Sequence, residues 1–421
     1  MHKNAIGHTR EEIVKQIRDK EKSVHDYRTT RYGCDDMKIS ENLSLGPYMT
    51  FESSKQKPIH RWFYYKEGYS PEIVEYALNR ERLGSNAVLL DPFCGTGTSL
   101  LVAKEAGLVG KGTDISELAF FVSKVKCANY EKEDINEAKE FMKDILRQRR
   151  EPRIEWEFEL FDPAVAFPKR NLNDIIYIRE AIAECECSDK TKNLLLLALI
   201  SVLPQSSIVI RDGGVLKIDK RKSAMPAKEA FKRKVKQMLS DIENAGISGR
   251  EPDVVLGDAR ELPYDDESCD IIVTSPPYLN NIDYSKVYGL ELSLLTLDKE
   301  TTARIRVRAL RSFIKREAEA GYVPAEVEEV GSRIPLVGAY FADMERSISE
   351  MKRTLKPGGS AYIVVSNSVI FREHIIVDEA LAAIGERLGM VAEIIVGAYR
   401  IADVRPHKVK TRESVVLLHK H

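Results

Sequence analysis

Short apolar runs that end in polar or glycine-rich turns alternate with amphipathic stretches along this chain. The runs at 87–90, 271–273 and 361–365 are typical of parallel strands that are buried on both faces. The first run leads into a glycine loop, a helical stretch to Ala106 and a second strand that ends at 111–114. This order of strand, glycine loop, helix and strand is the opening of a Rossmann-like sheet. The predicted fold class is therefore α/β, with helices on both faces of the sheet.

Helical sequence interrupts the strand pattern twice. Residues 131–249 are predicted to be mainly helical, with a hairpin near 208–218, and the sheet resumes at 253–258. A second helical excursion covers 286–338. The first insertion is large enough to be a candidate region for contacting DNA and recognising a target, if the chain acts on nucleic acid.

The predicted catalytic domain consists of residues 57–130 and 250–421, on either side of the first insertion. The first 56 residues are polar and mixed in charge, and they are predicted to be an N-terminal extension. Within this extension, residues 11–22 can form a charged helix and residues 33–44 are predicted to be a loop. A chain of 421 residues is long enough for this arrangement.

Charge gives no global sign of a polyanionic partner. The chain has 64 basic and 65 acidic residues, so any binding of nucleic acid must come from a local patch. Two basic stretches could contact a phosphate backbone, or could be ordinary solvated helix faces. The first contains Lys217, Lys220, Arg221, Lys222, Lys228, Lys232, Arg233, Lys234 and Lys236, and the second contains Arg304, Arg306, Arg308, Arg311, Lys315 and Arg316.

The six cysteines are spread along the chain without a CxxC pair, and Cys185 and Cys187 flank one glutamate. This spacing is poor for zinc, so free thiols and no metal site are predicted. The chain start has no apolar stretch of a signal peptide, and no apolar run is long enough to span a bilayer. We therefore expect a cytoplasmic protein that has no contact with a membrane.

The glycine loop after the first strand carries candidate binding chemistry. Gly95 and Gly97 let the backbone turn tightly and let a ligand lie against it, and Asp91 stands at the carboxyl end of the strand, where open parallel sheets bind ligands. Asp114 lies about 20 residues further on, where an acid can accept hydrogen bonds from ribose hydroxyls. The third glycine of a dinucleotide fingerprint is missing, since Ser99 and Leu100 follow Gly97, and this argues against NAD. The alternative is an ordinary strand-to-helix turn.

Two further strand ends carry polar chemistry. Asp258 could accept a hydrogen bond from the amino group of an adenine ring, or could be a plain turn aspartate. After the strand at 271–273, two prolines form a stiff stretch without backbone N–H groups, flanked by the hydroxyl of Ser275 and the flat ring of Tyr278. Hydrogen bonds from an aromatic amino group to Ser275 Oγ and to the Pro276 carbonyl would free the nitrogen lone pair, while Tyr278 stacked on the base. The alternative is a strand-terminating turn with a surface tyrosine.

These motifs resemble those of the amino-directed DNA methyltransferases. Residues 91–98 are similar to the DPFxGxGT motif, and Ser275-Pro276-Pro277-Tyr278 is similar to the catalytic tetrapeptide in the SPPY form most common in cytosine-N4 enzymes. Residues 277–284 also resemble that subgroup, and residues 60–71 resemble the motif that closes over the methionine end of the cofactor. The long segment between Asp114 and Asp258 matches no target-recognition region that we recognise.

The resemblance implies a fold, a cofactor and a set of site residues. The implied fold is the sheet of S-adenosylmethionine-dependent methyltransferases, and the implied cofactor is S-adenosyl-L-methionine, with Asp114 at its ribose and Asp258 at its adenine. The implied cofactor-binding residues are Tyr65, Asp91, Phe93, Cys94, Gly95, Thr96, Gly97, Thr98, Asp114, Asp258 and Ala259. The implied catalytic residues, which hold the target base, are Ser275, Pro276, Pro277 and Tyr278.

Three functions follow from this resemblance. The first is methylation of cytosine N4 in double-stranded DNA, on a base flipped out of the duplex, in a restriction-modification or orphan role. The second is methylation of another amino group, adenine N6 in DNA or a base in RNA. The third is a catalytically silent nucleic-acid-binding protein on the same fold, against which the intact motifs argue. The sequence has no obvious nuclease motif, so a restriction endonuclease partner would be a separate chain, and the oligomeric state stays open.

Overall fold

Helices and strands alternate through most of the chain in the computed structural model, which describes residues 28–30, 37–148, 150–280, 282–298, 300–312, 322–404 and 407–421. The strands of this part are β1 (Arg28–Thr30), β2 (Lys38–Glu41), β3 (Val88–Asp91), β4 (Val109–Asp114), β5 (Val209–Asp212), β6 (Val215–Ile218), β7 (Asp253–Leu256), β8 (Cys269–Thr274), β9 (Leu355–Ser366), β10 (Ser368–Ile370), β11 (Glu373–Ile375), β12 (Val391–Val404) and β13 (His407–His419).

The α-helices of the described residues connect these strands. They are α1 (Pro71–Arg80), α2 (Thr98–Glu105), α3 (Glu117–Cys127), α4 (Lys132–Arg147), α5 (Pro163–Ala166), α6 (Lys169–Glu184), α7 (Asp189–Ser201), α8 (Leu203–Ser206), α9 (Ala227–Ala245), α10 (Tyr284–Val287), α11 (Gly289–Thr296), α12 (Thr301–Arg308), α13 (Glu328–Arg333), α14 (Pro335–Thr354) and α15 (Val377–Arg387). In the described part of the chain, no helix is long and apolar enough to cross a membrane.

A central sheet with the strand order β2-β12-β13-β9-β8-β3-β4-β7 organises the molecule. The neighbours from β9 to β7 all run parallel, whereas β13 is antiparallel to both β9 and β12. Because parallel strands end at the same edge, the carboxyl ends of β3, β4, β7, β8 and β9 share one edge of the sheet. The predicted Rossmann-like α/β sheet is confirmed.

Helices cover both faces of the sheet, as predicted. Successive strand residues point to opposite faces, so Leu89 and Ile271 pack with α1 while Leu90 and Ile272 pack with α14 and α15. Val273 joins the first of these two clusters. The alternation explains the continuous apolar runs in the sequence, because a strand buried on both faces needs apolar residues at every position.

The first insertion is mainly helical, from α4 to α9, and contains the predicted hairpin as β5 and β6. It is not a separate globule, because its buried residues share one hydrophobic cluster with α2 and α3. An ion pair also ties it to the segment before the glycine loop, since Asp241 on α9 accepts hydrogen bonds from the Arg61 guanidinium and from Trp62 Nε1, the latter at 3.0 Å. The insertion is therefore built onto the catalytic sheet.

One local prediction for the N-terminal extension is wrong. Residues 33–44 were expected to be a loop, but Lys38–Glu41 forms β2, which pairs in parallel with β12 at the edge of the sheet. An edge strand is solvent-exposed and has one neighbour, so it needs no apolar run to mark it. The helix predicted at 11–22 and Cys34 lie outside the described residues, and the other five cysteines are free thiols.

Candidate active site

One cavity lies at the carboxyl edge of the sheet, where β3, β4, β7 and β8 end. It brings together residues that are more than 200 positions apart in the sequence. Of the site residues predicted from the sequence, those that line it are Tyr65, Phe93, Gly95, Asp114, Asp258, Ala259, Ser275, Pro276, Pro277 and Tyr278. Residues from the second excursion complete the wall, namely Leu292, Ile305, Ala309, Leu310 and Ser312.

Five predicted cofactor residues lie behind this wall and do not line it. All are buried: Asp91, Cys94, Thr96, Gly97 and Thr98. They run from the last residue of β3, through the glycine loop, to the first residue of α2. Their place in the structure is that of a scaffold for Phe93 and Gly95, which do reach the cavity.

Asp91 fastens the glycine loop to two other elements. Its Oδ1 accepts hydrogen bonds from Thr274 Oγ1 on β8 at 2.6 Å and from the Phe93 N–H at 3.1 Å, and its Oδ2 accepts from Ser99 Oγ on α2. The Tyr69 hydroxyl also donates to Oδ2, at 3.4 Å. Burial raises the pKa of Asp91 to about 6, although the hydrogen bonds from Ser99, Thr274 and Phe93 oppose this shift. Asp91 therefore sets the spacing between the two motif-bearing strand ends.

The two glycines of the loop serve different needs. Both have left-handed backbone, with φ of +50° at Gly95 and +77° at Gly97. A Cβ on Gly97 would lie 2.9 Å from Ser123 Cβ on α3, so helix packing demands this glycine. A Cβ on Gly95 would meet only ordinary contacts, the nearest being Tyr65 Cε1 at 3.8 Å in the cavity wall. The ligand contact predicted for both glycines is therefore compatible with Gly95, which lines the cavity, whereas Gly97 faces α3 and does not line it.

Two carboxylates reach the cavity from neighbouring strands. Asp114, at the end of β4, accepts hydrogen bonds from the N–H groups of Gly95 and Ser116, both at 2.9 Å, and burial raises its pKa. Asp258 follows β7 and is engaged by Arg260, whose Nη2 donates to Oδ2 at 2.7 Å. Burial raises the pKa of Asp258, but the Arg260 bonds outweigh it and hold that pKa below its ordinary value. The sequence did not reveal this partner.

The tetrapeptide after β8 contains an unpaired hydroxyl. Ser275 Oγ is buried and lies close enough to Tyr278 to influence that phenol's pKa, yet among the described residues it has no partner in hydrogen-bonding geometry. Burial raises the pKa of Tyr278, so its phenol stays neutral at physiological pH. Tyr278 is half-buried in the cavity wall rather than a surface residue, which removes the alternative of a plain surface turn.

A second aromatic wall was not foreseen from the sequence. Tyr65 and Tyr288 stack with their ring centroids 4.6 Å apart, and the Tyr288 hydroxyl donates to Glu67. The guanidinium of Arg211, on the β5–β6 hairpin, lies 4.6 Å from the Tyr288 ring centroid and pairs with Glu291. Tyr65, Arg211 and Tyr288 thus connect the insertion to the cavity. They come from three distant segments of the chain, so no local sequence pattern predicts their contact.

Most basic residues predicted to contact phosphate have partners inside the protein. Lys222 Nζ donates to the carbonyl of Val209 at 2.6 Å, Lys228 Nζ to that of Ile145 at 2.9 Å, and Lys234 Nζ to that of Arg61 at 3.0 Å. Arg304 and Arg311 pair with Asp298 and Asp343, respectively. Lys315, Arg316 and the side chain of Arg306 lie outside the described residues. The alternative of solvated or structural faces therefore gains support for much of both stretches.

Comparison with known proteins gives relatives along most of the chain. No protein-family model matches it. The Type II methyltransferase M.BsoBI of Geobacillus stearothermophilus is 26% identical over 414 residues, which cover 81% of this chain and 80% of the relative. The Type II methyltransferase M.AvaI of Nostoc sp. is 27% identical over 420 residues, which cover 86% and 85%. The chain resembles Type II methyltransferases along most of its length.

The relatives and the sheet together support a methyltransferase enzyme with S-adenosyl-L-methionine as its cofactor. An S-adenosylmethionine-dependent methyltransferase of Methanosarcina mazei superposes with a TM-score of 0.30 and 11% identity, covering 82% of this chain and 97% of that one. Such a loose superposition adds nothing to the assignment. The acceptors in the cavity of this chain suit that cofactor, because the carboxylates of Asp114 and Glu67 line the cavity and can accept hydrogen bonds from hydroxyl and ammonium groups.

Proposed function

We propose that this chain is a site-specific DNA methyltransferase that methylates N4 of cytosine, on a base flipped out of the duplex. One observation carries the proposal: the Ser275 hydroxyl is buried and has no partner among the described residues, and Ser275 is one of the residues that line the cavity. A buried polar atom without a partner is costly unless a ligand satisfies it. An exocyclic amino group is a ligand of the right kind, because it has N–H donors to offer.

The cofactor would be held by the part of the cavity nearest β3, β4 and β7. Asp114 would accept hydrogen bonds from ribose hydroxyls, and Ala259 and Asp258 would border the adenine. Tyr65 and Gly95 would lie beside the methionine part. When bound, S-adenosyl-L-methionine supplies an electrophilic methyl group on a positively charged sulfur.

The tetrapeptide would activate the amino nitrogen. The lone pair of an exocyclic amino nitrogen is delocalised into the ring, which makes it a weak nucleophile. A hydrogen bond from its N–H to Ser275 Oγ, and a second one to the Pro276 carbonyl, would favour tetrahedral geometry and return the lone pair to nitrogen. With its lone pair available, this nitrogen would take up the methyl group, the electron pair of the former S–C bond would remain on sulfur, and the nitrogen would release one proton to water.

Tyr278 would hold the base beside Ser275. A base inside the stack cannot bring its amino nitrogen in line with a methyl donor, and flipping it out costs about a few kcal/mol. Stacking on an aromatic ring returns roughly 1–3 kcal/mol per base. The half-buried ring of Tyr278 in the cavity wall supports this role.

The choice of cytosine over adenine is supported by the SPPY form of the tetrapeptide, and the restriction-modification context by the names of the relatives. A restriction endonuclease would then be a separate protein. The test is to incubate the purified chain with plasmid DNA and the cofactor, digest the DNA and analyse its nucleosides by mass spectrometry. N4-methylcytosine is the expected product. N6-methyladenine would refute the cytosine assignment, and the absence of any methylated nucleoside would refute the proposed function.

A further inference from the structure

The last two strands extend past the edge of the sheet that carries the cavity. The ladder between β13 and β9 stops at Glu413, opposite Ser366, whereas β13 and β12 stay paired as far as His407 and Val404. Six residues of each strand, at about 3.4 Å per residue, make a projection of roughly 20 Å. We call residues 399–404 and 407–412 the ribbon. Because β9 runs parallel to β8, the ribbon projects on the side where β8 ends in the tetrapeptide.

The base of the ribbon adjoins the tetrapeptide. Glu413 and Arg400 are both close enough to Tyr278 to influence the pKa of its phenol, Glu413 raising it and Arg400 lowering it. Arg400 Nε donates to Glu413 Oε2 at 2.9 Å, which ties the two strands together at this point. A partner seated on the ribbon would therefore reach the residue that we propose holds the flipped base.

The two faces of the ribbon differ in exposure. The strand register places Tyr399, Ile401 and Lys410 on one face, where Ile401 stands opposite Lys410. Tyr399 is 42% and Ile401 56% exposed, and the side chains of Lys408 and Lys410 are also exposed. On the other face Val409 is buried. The exposed face thus combines aromatic, apolar and basic side chains, and Lys410 Nζ lies 4.3 Å from the Tyr399 ring centroid.

The charge of the ribbon differs from that of the whole protein. Its two strands contain four basic residues and one acidic residue, whereas the chain has a net charge of −1. Arg400 pairs with Glu413 and Arg412 with Asp378, so the charge that the exposed face offers comes from Lys408 and Lys410. The ribbon is a basic element that combines exposure with proximity to the tetrapeptide.

We propose that the ribbon binds the duplex that carries the target base, by entering its major groove. The major groove admits a two-stranded β-ribbon, lysines at its flanks reach phosphates, and apolar side chains such as Ile401 can contact base edges. The proposal rests on the proposed function, and it names the partner as double-stranded DNA and the contact surface as the exposed ribbon face. It places DNA recognition in a segment other than the helical insertion.

The test compares the double variant Lys408→Glu/Lys410→Glu with the unaltered full chain. Binding of a fluorescein-labelled 30-base-pair duplex is measured by anisotropy between 50 and 200 mM salt. The Kd should rise on the order of tenfold. The slope of log Kd against log salt concentration should decrease by the equivalent of about two phosphate contacts. Lys408→Gln/Lys410→Gln should give the same loss of slope with a smaller rise in Kd, because it removes the contacts without adding repulsion.

The matched control is Arg82→Glu/Arg250→Glu, which reverses the charge of two exposed residues. They lie in the segments that precede β3 and β7, at the opposite edge of the sheet. This control should bind the duplex like the unaltered chain, and calorimetry should find equal cofactor affinity in all variants. If the unaltered chain binds and methylates DNA but the ribbon variants match it in Kd and slope, the ribbon proposal is wrong and the proposed function stands. If the unaltered chain neither binds nor methylates the duplex, both are wrong.

Discussion

The two motif-bearing strand ends contrast in how completely they are hydrogen-bonded. In the glycine loop after β3, both carboxylate oxygens of Asp91 have donors, and of residues 91–98 only Pro92, Phe93 and Gly95 line the cavity. In the tetrapeptide after β8, Ser275 Oγ has no partner among the described residues, and all four members line the cavity.

The contrast separates scaffold from reacting surface. A buried polar group that already has its partners fixes geometry, whereas one without a partner is available to a ligand. Changes at loop residues that do not line the cavity, such as Asp91 and Gly97, should therefore affect mainly folding, and changes in the tetrapeptide should affect mainly catalysis. Thr274, which donates to Asp91 and directly precedes Ser275, joins the two regions.

The largest expected effect concerns the charge of Asp91. Its pKa is about 6 in the folded chain against 3.8 ordinarily, so the unfolded chain releases this proton first and stability falls as pH rises from about 4 to about 6. The pKa difference corresponds to roughly 3 kcal/mol in the free energy of unfolding. Asp91→Asn cannot titrate, so denaturant melts of the two proteins should show the wild-type stability falling relative to the variant across this pH range. A difference that is independent of pH would contradict the assignment.

Substitution of Gly95 and of Gly97 should have different effects on stability and on cofactor binding. Gly97→Ala should lower the free energy of unfolding by about 1–3 kcal/mol more than Gly95→Ala, because both suffer from positive φ but only Gly97→Ala also collides with Ser123. Gly95→Ala should instead weaken cofactor binding in calorimetry, since its Cβ lies beside Tyr65 in the cavity wall. Adding Ser123→Gly should recover part of the stability of Gly97→Ala only. Equal losses of stability in both single variants would contradict the different roles assigned to Gly95 and Gly97.

Tyr278 tests the reacting surface. Tyr278→Ala should reduce kcat/KM on DNA by about 5- to 150-fold, the equivalent of 1–3 kcal/mol of lost stacking. Tyr278→Phe keeps the ring and should keep most of the activity, so it serves as the matched control. A duplex with 2-aminopurine at the target position would report flipping by fluorescence. Full activity of Tyr278→Ala would show that the base is held elsewhere.

The smallest expected effect is that of Ser275→Ala, which distinguishes a reacting residue from a scaffold residue most directly. Ser275→Ala should leave the free energy of unfolding unchanged or slightly higher, because the hydroxyl makes no hydrogen bond to any described residue that the substitution could remove. It should nevertheless lower kcat by about 2- to 13-fold, the equivalent of one hydrogen bond of 0.5–1.5 kcal/mol, with unchanged cofactor affinity. Thermal melts, single-turnover methylation and calorimetry measure the three quantities. A loss of stability comparable to that expected for Gly97→Ala would place Ser275 in the scaffold.

The sequence by itself determined the sheet and the chemistry at its strand ends. Strands buried on both faces require continuous apolar runs, and a motif that follows such a run stays at the strand's carboxyl end because the two are contiguous in the chain. Residues such as Gly95 and Ser275 were therefore predictable from local pattern alone, and both reach the cavity. The edge strand β2 was not, because exposure on its outer side removes the apolar pattern.

Tertiary structure decided every feature that joins distant segments. The Tyr65–Tyr288 stack, the engagement of Asp258 by Arg260 and the clash that reserves Gly97 for glycine depend on which helices and loops meet, and pairing across such distances leaves no periodic signal in a single sequence. The ribbon depends on where β9 stops relative to β13. A strand pattern predicts that residues pair, but only the register of neighbouring strands decides which part of a hairpin stays in the sheet and which part projects into solvent.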